Sequence, residues 1–167
     1  NDSPANIVGY LYNGTEWSEA NTGGDSSWFS FGANGGLNYL VNSLLMVGTD
    51  LYVGGDFLTA GGITVNRIAK WNGVSWSALG SGVNDVVQAI AVSGTDVYVG
   101  GSFTNAGGVA ASRIAKWNGS SWSALGSGVT SSVWSIQISG TDVYVGGVFA
   151  TAGGTTVNSV AKWNGSS

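Results

Sequence analysis

The chain spells the same phrase three times. Gly-Thr-Asp followed by an aliphatic residue and Tyr-Val-Gly-Gly begins at Gly48, Gly94 and Gly140, a spacing of 46 residues. Each copy continues to Ala-Lys-Trp-Asn-Gly, at 69–73, 115–119 and 161–165. A fixed period of roughly 40–50 residues belongs to stacked or radial repeat architectures, where each unit buries an apolar face against the next. Near-identical units also present one surface several times, whereas a catalytic site needs different groups in different places. The repeat argues for a structural or multivalent binding role, not an enzyme.

Four short strands can be read in each repeat. The first covers Val41–Val47, Val87–Val92 and Val133–Ile138, with Leu44, Ile90 and Ile136 on one face and Ser43, Ala89 and Ser135 on the other. Such period-two alternation marks a strand. A Gly-Thr-Asp turn leads into the second strand, Val97–Phe103, and a loop centred on Ala-Gly-Gly follows at 60–62, 106–108 and 152–154. The third strand, Arg113–Trp117, reaches Asn118-Gly119, and the fourth is Ser120–Leu125. Asn-Gly between strands signals a two-residue type I′ hairpin. That turn would place Trp117 opposite Ser120 and Ala115 opposite Trp122, with Ala69 opposite Trp76 in the same way. The expected fold is all-β, of β-propeller type, with four-stranded antiparallel blades of about 46 residues. Helical arrays are excluded by the lack of helical periodicity, and a β-solenoid has shorter rungs.

The units are expected at 48–93, 94–139 and 140–167, the last truncated, after a diverged opening over 1–47; all form one repeat domain. In that opening, Ile7–Ser18 resembles the end of a blade, with Asn13-Gly14 as the turn and Trp17 in the place of Trp122. An insertion carrying Trp28, Phe29 and Phe31 separates it from the first strand. At the other end Asn164-Gly165-Ser166-Ser167 stops where the other repeats place a tryptophan. The count falls short of the four or more blades of a closed ring. Three arrangements fit an incomplete ring: a segment of a longer array, a ring closed by oligomerisation, or end-to-end addition in which one copy supplies a strand another lacks. Ile7, Leu11, Val160 and Trp163 mark the expected assembly edges.

The layout resembles the kelch family of propellers. Its hallmarks are a strand ending in Gly-Gly, an aromatic, and a Trp after a short turn; here these are Tyr98-Val99-Gly100-Gly101, Trp117 and Trp122, with Tyr52-Val53-Gly54-Gly55, Trp71 and Trp76 one repeat earlier. The wording is also similar to repeats of bacterial secreted proteins and of the fungal cortical polarity-marker family. That resemblance implies the propeller architecture and a surface or scaffold role. Kelch-type propellers include galactose oxidase, whose copper site uses His and Cys; neither residue occurs in this chain.

Composition narrows the chemistry. Charged residues make up 8% of the chain and the net charge is −4, against about a quarter charged in ordinary domains. Five cations give no basic stripe for nucleic acid or an anionic membrane surface, and no apolar run approaches the ~18 residues of a helical membrane span. Without His or Cys, no catalytic triad, structural zinc or thiol site is expected, and no cofactor. A polar Asn-Asp-Ser opening and Gly/Ser/Thr/Asn-rich composition point to a secreted or surface-displayed protein.

Among the carboxylates, Asp50, Asp96 and Asp142 recur beside a Gly-Thr turn and are expected to cap their own backbone. Lys70, Lys116 and Lys162 recur on strand three and are expected to pair at its rim. Glu16 and Glu19 form an isolated pair with no companion features of a glycosidase. The tryptophans carry the functional interest. Trp71, Trp117 and Trp163 beside polar turns could stack a sugar or pack the core; Trp28 and Trp134 break the repeat and are candidates for a specific contact, Trp134 standing where Asn42 and Gln88 stand elsewhere. The expected function is a non-enzymatic extracellular scaffold, adhesion or self-assembly module, with other copies of itself or the continuation of a longer chain as partner. The alternative is a lectin-like module whose tryptophans hold glycans.

Overall fold

The computed structural model describes residues 10–12, 17–19, 31 and 35–165. Among them are strands only, no helix. Strands β1 (Tyr10–Tyr12) and β2 (Trp17–Glu19) form an antiparallel pair with Tyr12 opposite Trp17. The first sheet comprises β3 (Val41–Val47), β4 (Asp50–Gly55), β7 (Ile68–Trp71) and β8 (Trp76–Ala78), with a small hairpin, β5 (Thr59–Ala60) and β6 (Ile63–Thr64), between β4 and β7. The middle sheet repeats this plan as β9 (Val87–Ser93), β10 (Asp96–Gly101), β13 (Ile114–Trp117) and β14 (Trp122–Ala124), with β11 (Asn105–Ala106) and β12 (Val109–Ala110) as its small hairpin. The last sheet has three strands, β15 (Val133–Ser139), β16 (Asp142–Gly147) and β19 (Val160–Trp163), with β17 (Thr151–Ala152) and β18 (Thr155–Thr156) as the small hairpin. All neighbours are antiparallel and each sheet is a simple meander. No closed ring is formed among the described residues.

The apolar core lies between sheets. Ile68 of the first sheet clusters with Val87, Ile90, Val97 and Val99 of the middle one. One repeat on, Ile114 clusters with Val133, Val143 and Val145 of the last sheet. β9 runs beside both β3 and β15, and Asn42 Nδ2 donates to Val87 O at 3.0 Å across the first of these boundaries. The Gly-Gly pair explains how the sheets come so close. A Cβ on Gly54 would collide with Val87, and one on Gly100 with Val133, each on the following sheet. The second glycine of the pair faces the backbone carbonyl of Leu40 or Val86, which enters the same space.

The linkers between sheets are held on both sides. Val83 N donates to Asn66 O at 3.1 Å behind it, while Val83 pairs with Ala106 ahead. Asn84 Oδ1 then accepts from Thr104 N and Asn105 N, both at 2.9 Å. Asn38 and the Thr130 hydroxyl do the same in the neighbouring repeats. Neighbouring units are thus joined through backbone hydrogen bonds as well as apolar contact.

Five sequence expectations are corrected. The Asn-Gly loop has four residues, not two. Trp117 faces Trp122 and Ala115 faces Ala124; likewise Trp71 faces Trp76 and Ala69 faces Ala78. Gly119 has the positive φ, 96°, that its turn required, but Asn118 keeps an ordinary φ and its Oδ1 accepts from Ser120 N at 3.0 Å and Ser121 N at 2.8 Å. That side-chain cap sustains the longer loop. The Ala-Gly-Gly segment is the small hairpin, not an open loop. The second strand ends at Gly101, before Phe103, and the fourth covers only Trp122–Ala124. The third strand starts one residue late because Arg67, Arg113 and Ser159 sit at φ of 71°, 67° and 74°, a conformation that breaks the extended run.

Candidate functional site

The chemistry-bearing surfaces lie at the two ends of the sheet stack. Ile68 and Ile114 are 0% and 2% exposed, whereas Val160, at the same place on the last sheet, is 65% exposed. At the other end Leu44 is 64% exposed, against 8% for its counterpart Ile90. Met46, Val41, Leu40 and Tyr39 extend this first apolar face. Exposed apolar surface on this scale marks interaction sites in soluble proteins.

A cavity of about 450 Å3 opens at the last sheet, lined by Leu125, Val129, Ala152, Val157, Ala161 and Trp163 among others. Its counterpart in the middle sheet is filled. Leu79, Val83, Ala106, Ala111 and Ala115 close around Trp122 there, with Trp117 against them. The Trp122 Nε1–H donates to Leu79 O at 2.8 Å, and the same carbonyl accepts from Gly82 N at 3.1 Å. Leu125 O, one repeat on, accepts from Gly128 N at 3.0 Å. The glycines tell the same story. A Cβ on Gly61 or Gly107 would strike the ring of Trp76 or Trp122, whereas one on Gly153 would meet nothing within 4 Å. β19 has β16 on one side and, among the described residues, no strand on the other, where β13 has β14.

The tryptophans divide by environment. Trp71 and Trp117 are half-buried, their rings 5.4 and 5.5 Å from those of Trp76 and Trp122 in tilted contact. Phe31 adds an edge-on contact to Trp71, centroids 5.6 Å apart. Trp117 and Trp163 lie under the linkers at Gly80 and Gly126, which leave just enough room for the rings. These recurrent tryptophans join one sheet to the linker before it. Trp134 differs: it stands on β15, 56% exposed. Val160 and Trp163 lie on β19 at the open end, and Leu11 lies on β1. Ile7, Trp28 and Glu16 fall outside the described residues, as does the Asn13-Gly14 turn.

The repeated aspartates do not serve their own turns. Asp50, Asp96 and Asp142 each accept from a strand-three lysine: Lys70 at 2.9 Å, Lys116 at 3.0 Å and Lys162 at 3.0 Å. The lysines are therefore paired, as expected of them. In all three the hydrogen bond that the lysine donates to aspartate raises the lysine pKa, and burial opposes it. Asp56 pairs with Arg67 at 3.4 Å, and Asp85 Oδ1 accepts from Val86 N at 2.8 Å. Each of these carboxylates has a structural partner. No group of three or more His, Cys, Asp or Glu that could hold a metal is found among the described residues.

Sequence reading missed the cavity. That residues 125–163 would hold their positions around open space required coordinates. Comparison with protein-family models, with curated proteins and with solved structures returns no match.

Proposed function

We propose that the chain is a kelch-like β-propeller segment acting as a non-enzymatic scaffold, adhesion or self-assembly module outside the cell, through protein–protein contacts. One observation carries this reading: Ile68 and Ile114 are buried between sheets, whereas among the described residues Val160 and Leu44, at the equivalent junction positions, are exposed in apolar faces. Sheets that twist and stack through such faces are the working parts of propellers and other repeat arrays. A face built to receive another sheet is also a face on which another chain can dock. The low charge and the Gly/Ser/Thr/Asn-rich composition support an extracellular setting.

The test is sedimentation velocity over a wide concentration range, on the parent and on Leu44→Glu. Concentration-dependent association weakened by the charge supports the reading. A single monomeric species throughout, with a bis-ANS signal no greater than that of a compact globular control, rejects it.

A second reading rests on Trp134. Its exposed ring on β15 suits a sugar face, as in a lectin-like module. Millimolar sugars that quench tryptophan fluorescence in the parent but not in Trp134→Ala support it; absence of quenching across a panel of common monosaccharides removes it.

A further inference from the structure

We infer that the cleft between the first and middle sheets binds a neutral, polyhydroxylated ring of monosaccharide size, and that the same site recurs at the next junction. The site rests on the lectin-like reading but not on Trp134, which stands on β15 and is no part of this lining. The cleft holds about 250 Å3, and both of its walls come from four-stranded sheets inside the repeat array.

Register builds the two walls. Tyr52, Lys70 and Ser77 are direct partners across β4, β7 and β8, so their side chains emerge in a row on one face of the first sheet. The middle sheet contributes Trp117 and its partner Val97, with Thr95 in the turn before β10. One wall thus offers hydroxyls and an ammonium, and the other an indole with aliphatic neighbours. A sugar ring carries C–H groups on its faces and hydroxyls around its edge, so it needs both kinds of wall at once. A few placed polar groups in an otherwise apolar cleft are what fix a small ligand's orientation. The Trp117 ring is braced by Trp122, centroids 5.5 Å apart, and by the linker at Gly80. The stacking platform is therefore in place before a ligand arrives, which lowers the cost of binding.

Charge selects a neutral ligand. Lys70 is the one cation in the lining, and Asp50 accepts from it at 2.9 Å, leaving no net charge to draw in an anion. An ammonium has three N–H donors; Asp50 takes one, and the others can serve hydroxyl oxygens of the ligand. The Ser77 hydroxyl donates to Lys70 O at 3.3 Å and keeps its lone pairs for accepting.

Every lining residue recurs unchanged 46 positions on, among them Tyr98, Lys116, Ser123, Leu125, Thr141 and Trp163. The pairings recur as well: Tyr98 with Lys116, Lys116 with Ser123 and Val143 with Trp163. Exposed positions elsewhere are not held in this way, since Leu58, Ile63 and Val74 become Thr104, Val109 and Ser120. Ser77 and Thr95 are exposed too, yet both keep their hydroxyls in the next unit.

The experiment titrates the whole isotopically labelled chain with methyl glycosides of common neutral hexoses and with a hexuronic acid, reading the indole N–H signals by NMR. Saturable shifts at Trp117 and Trp163 are expected, with affinity about tenfold or more weaker in the double variant Lys70→Met/Lys116→Met. The uronate should bind no more tightly than its neutral counterpart. Should the double variant not fold, the shifts in the parent decide. Shifts confined to Trp134 overturn the inference and leave the lectin-like reading standing. An affinity unchanged by the double variant overturns the assignment to this cleft. A uronate preferred by about tenfold and released by salt overturns the neutral class of ligand. No shift at any indole up to about 100 mM sugar rejects the lectin-like reading and the site together.

Discussion

Ile114 and Val160 hold the same place on their strands, two residues ahead of a lysine and three ahead of a tryptophan, in sheets built from nearly the same words. One is sealed at 2% exposure and the other stands open at 65%. The local backbone does not differ: β10 with β13 and β16 with β19 keep the same register residue for residue. What differs among the described residues is the following sheet, together with the fourth strand that β13 has in β14 and β19 lacks. Burial in this molecule is therefore a property of the junction between units and not of the unit, as expected of a quasi-one-dimensional repeat protein. The last sheet keeps its geometry through the linker bonds from Val129 and Thr130 behind it, and its outer face remains open.

The sharpest way to break the comparison is to make the middle sheet resemble the last. Trp122→Ala removes the ring that fills the middle cavity and leaves Leu79 O without its indole donor. The expected loss is about 3–5 kcal/mol by urea denaturation, as for other buried aromatic truncations. Trp76→Ala should cost less, because the buried Trp76 Nε1 has no hydrogen-bond partner among the described residues and a satisfied hydrogen bond contributes about 1 kcal/mol. Free indole should recover part of the Trp122→Ala loss by binding the folded form. Equal losses at 76 and 122 would show that the hydrogen bond to Leu79 contributes nothing.

Next in size is the exchange that reads the junction directly. Ile114→Ala should destabilise by about 2–5 kcal/mol, while Val160→Ala should stay within about 0.5 kcal/mol in the monomer. A large effect at 160 under dilute conditions would mean that something covers the open face even there.

How far these features could be read from residues alone varies with their cause. The four strands were legible because alternation of apolar and small residues is local, as at Leu44, Met46 and Ser43. The turn after Trp117 was half legible. Gly119 announced its positive φ, but Asn118 can open a two-residue turn or cap a four-residue one, and the choice shifted the whole pairing so that tryptophan meets tryptophan. Arg113 gave no warning of its left-handed backbone, since arginine has no preference for it. The role of the aspartates depended on strand two and strand three lying side by side, which places Asp96 within reach of Lys116 twenty residues away. The open cavity was the least legible, because it is defined by how the linker, the small hairpin and strand three of the last sheet come together in space.

The Gly-Gly motif allows a smaller test. A methyl group at Gly100 would overlap Val133 and crowd Ile136 of the next sheet, and overpacking of this kind costs about 1–3 kcal/mol. At Gly146 a methyl group would meet Ser135 Oγ at 2.8 Å, a side chain that can rotate away, with no further sheet behind it among the described residues. Gly146→Ala should therefore fall within about 1 kcal/mol of the parent. Equal penalties at the two sites would trace the motif to backbone conformation, not to close approach between sheets.

The smallest expected effect separates the two sheets by solvent alone. Lys116 and Lys162 make the same 3.0 Å bond to aspartate, but the side chain of Lys162 is 51% exposed against 33% for Lys116. Exposed pairs of this kind contribute about 0.2–1 kcal/mol, less as water screens them. Lys116→Met should thus cost a few tenths of a kcal/mol, at the edge of measurement, and Lys162→Met less still. The pH dependence gives the sign. The aspartate raises the lysine pKa in the folded protein, so the folded state holds its proton more tightly than the unfolded chain does. The contribution is complete below the ordinary lysine value of about 10.4 and fades as pH rises through the higher folded value. The difference in melting temperature between the parent and Lys116→Met should therefore be constant from neutral pH to about pH 9 and shrink above about pH 10.5. Using the difference cancels every other group that titrates in that range. A gap that stayed constant through the alkaline range would mean that the lysine is held for its aliphatic stem and not for its charge.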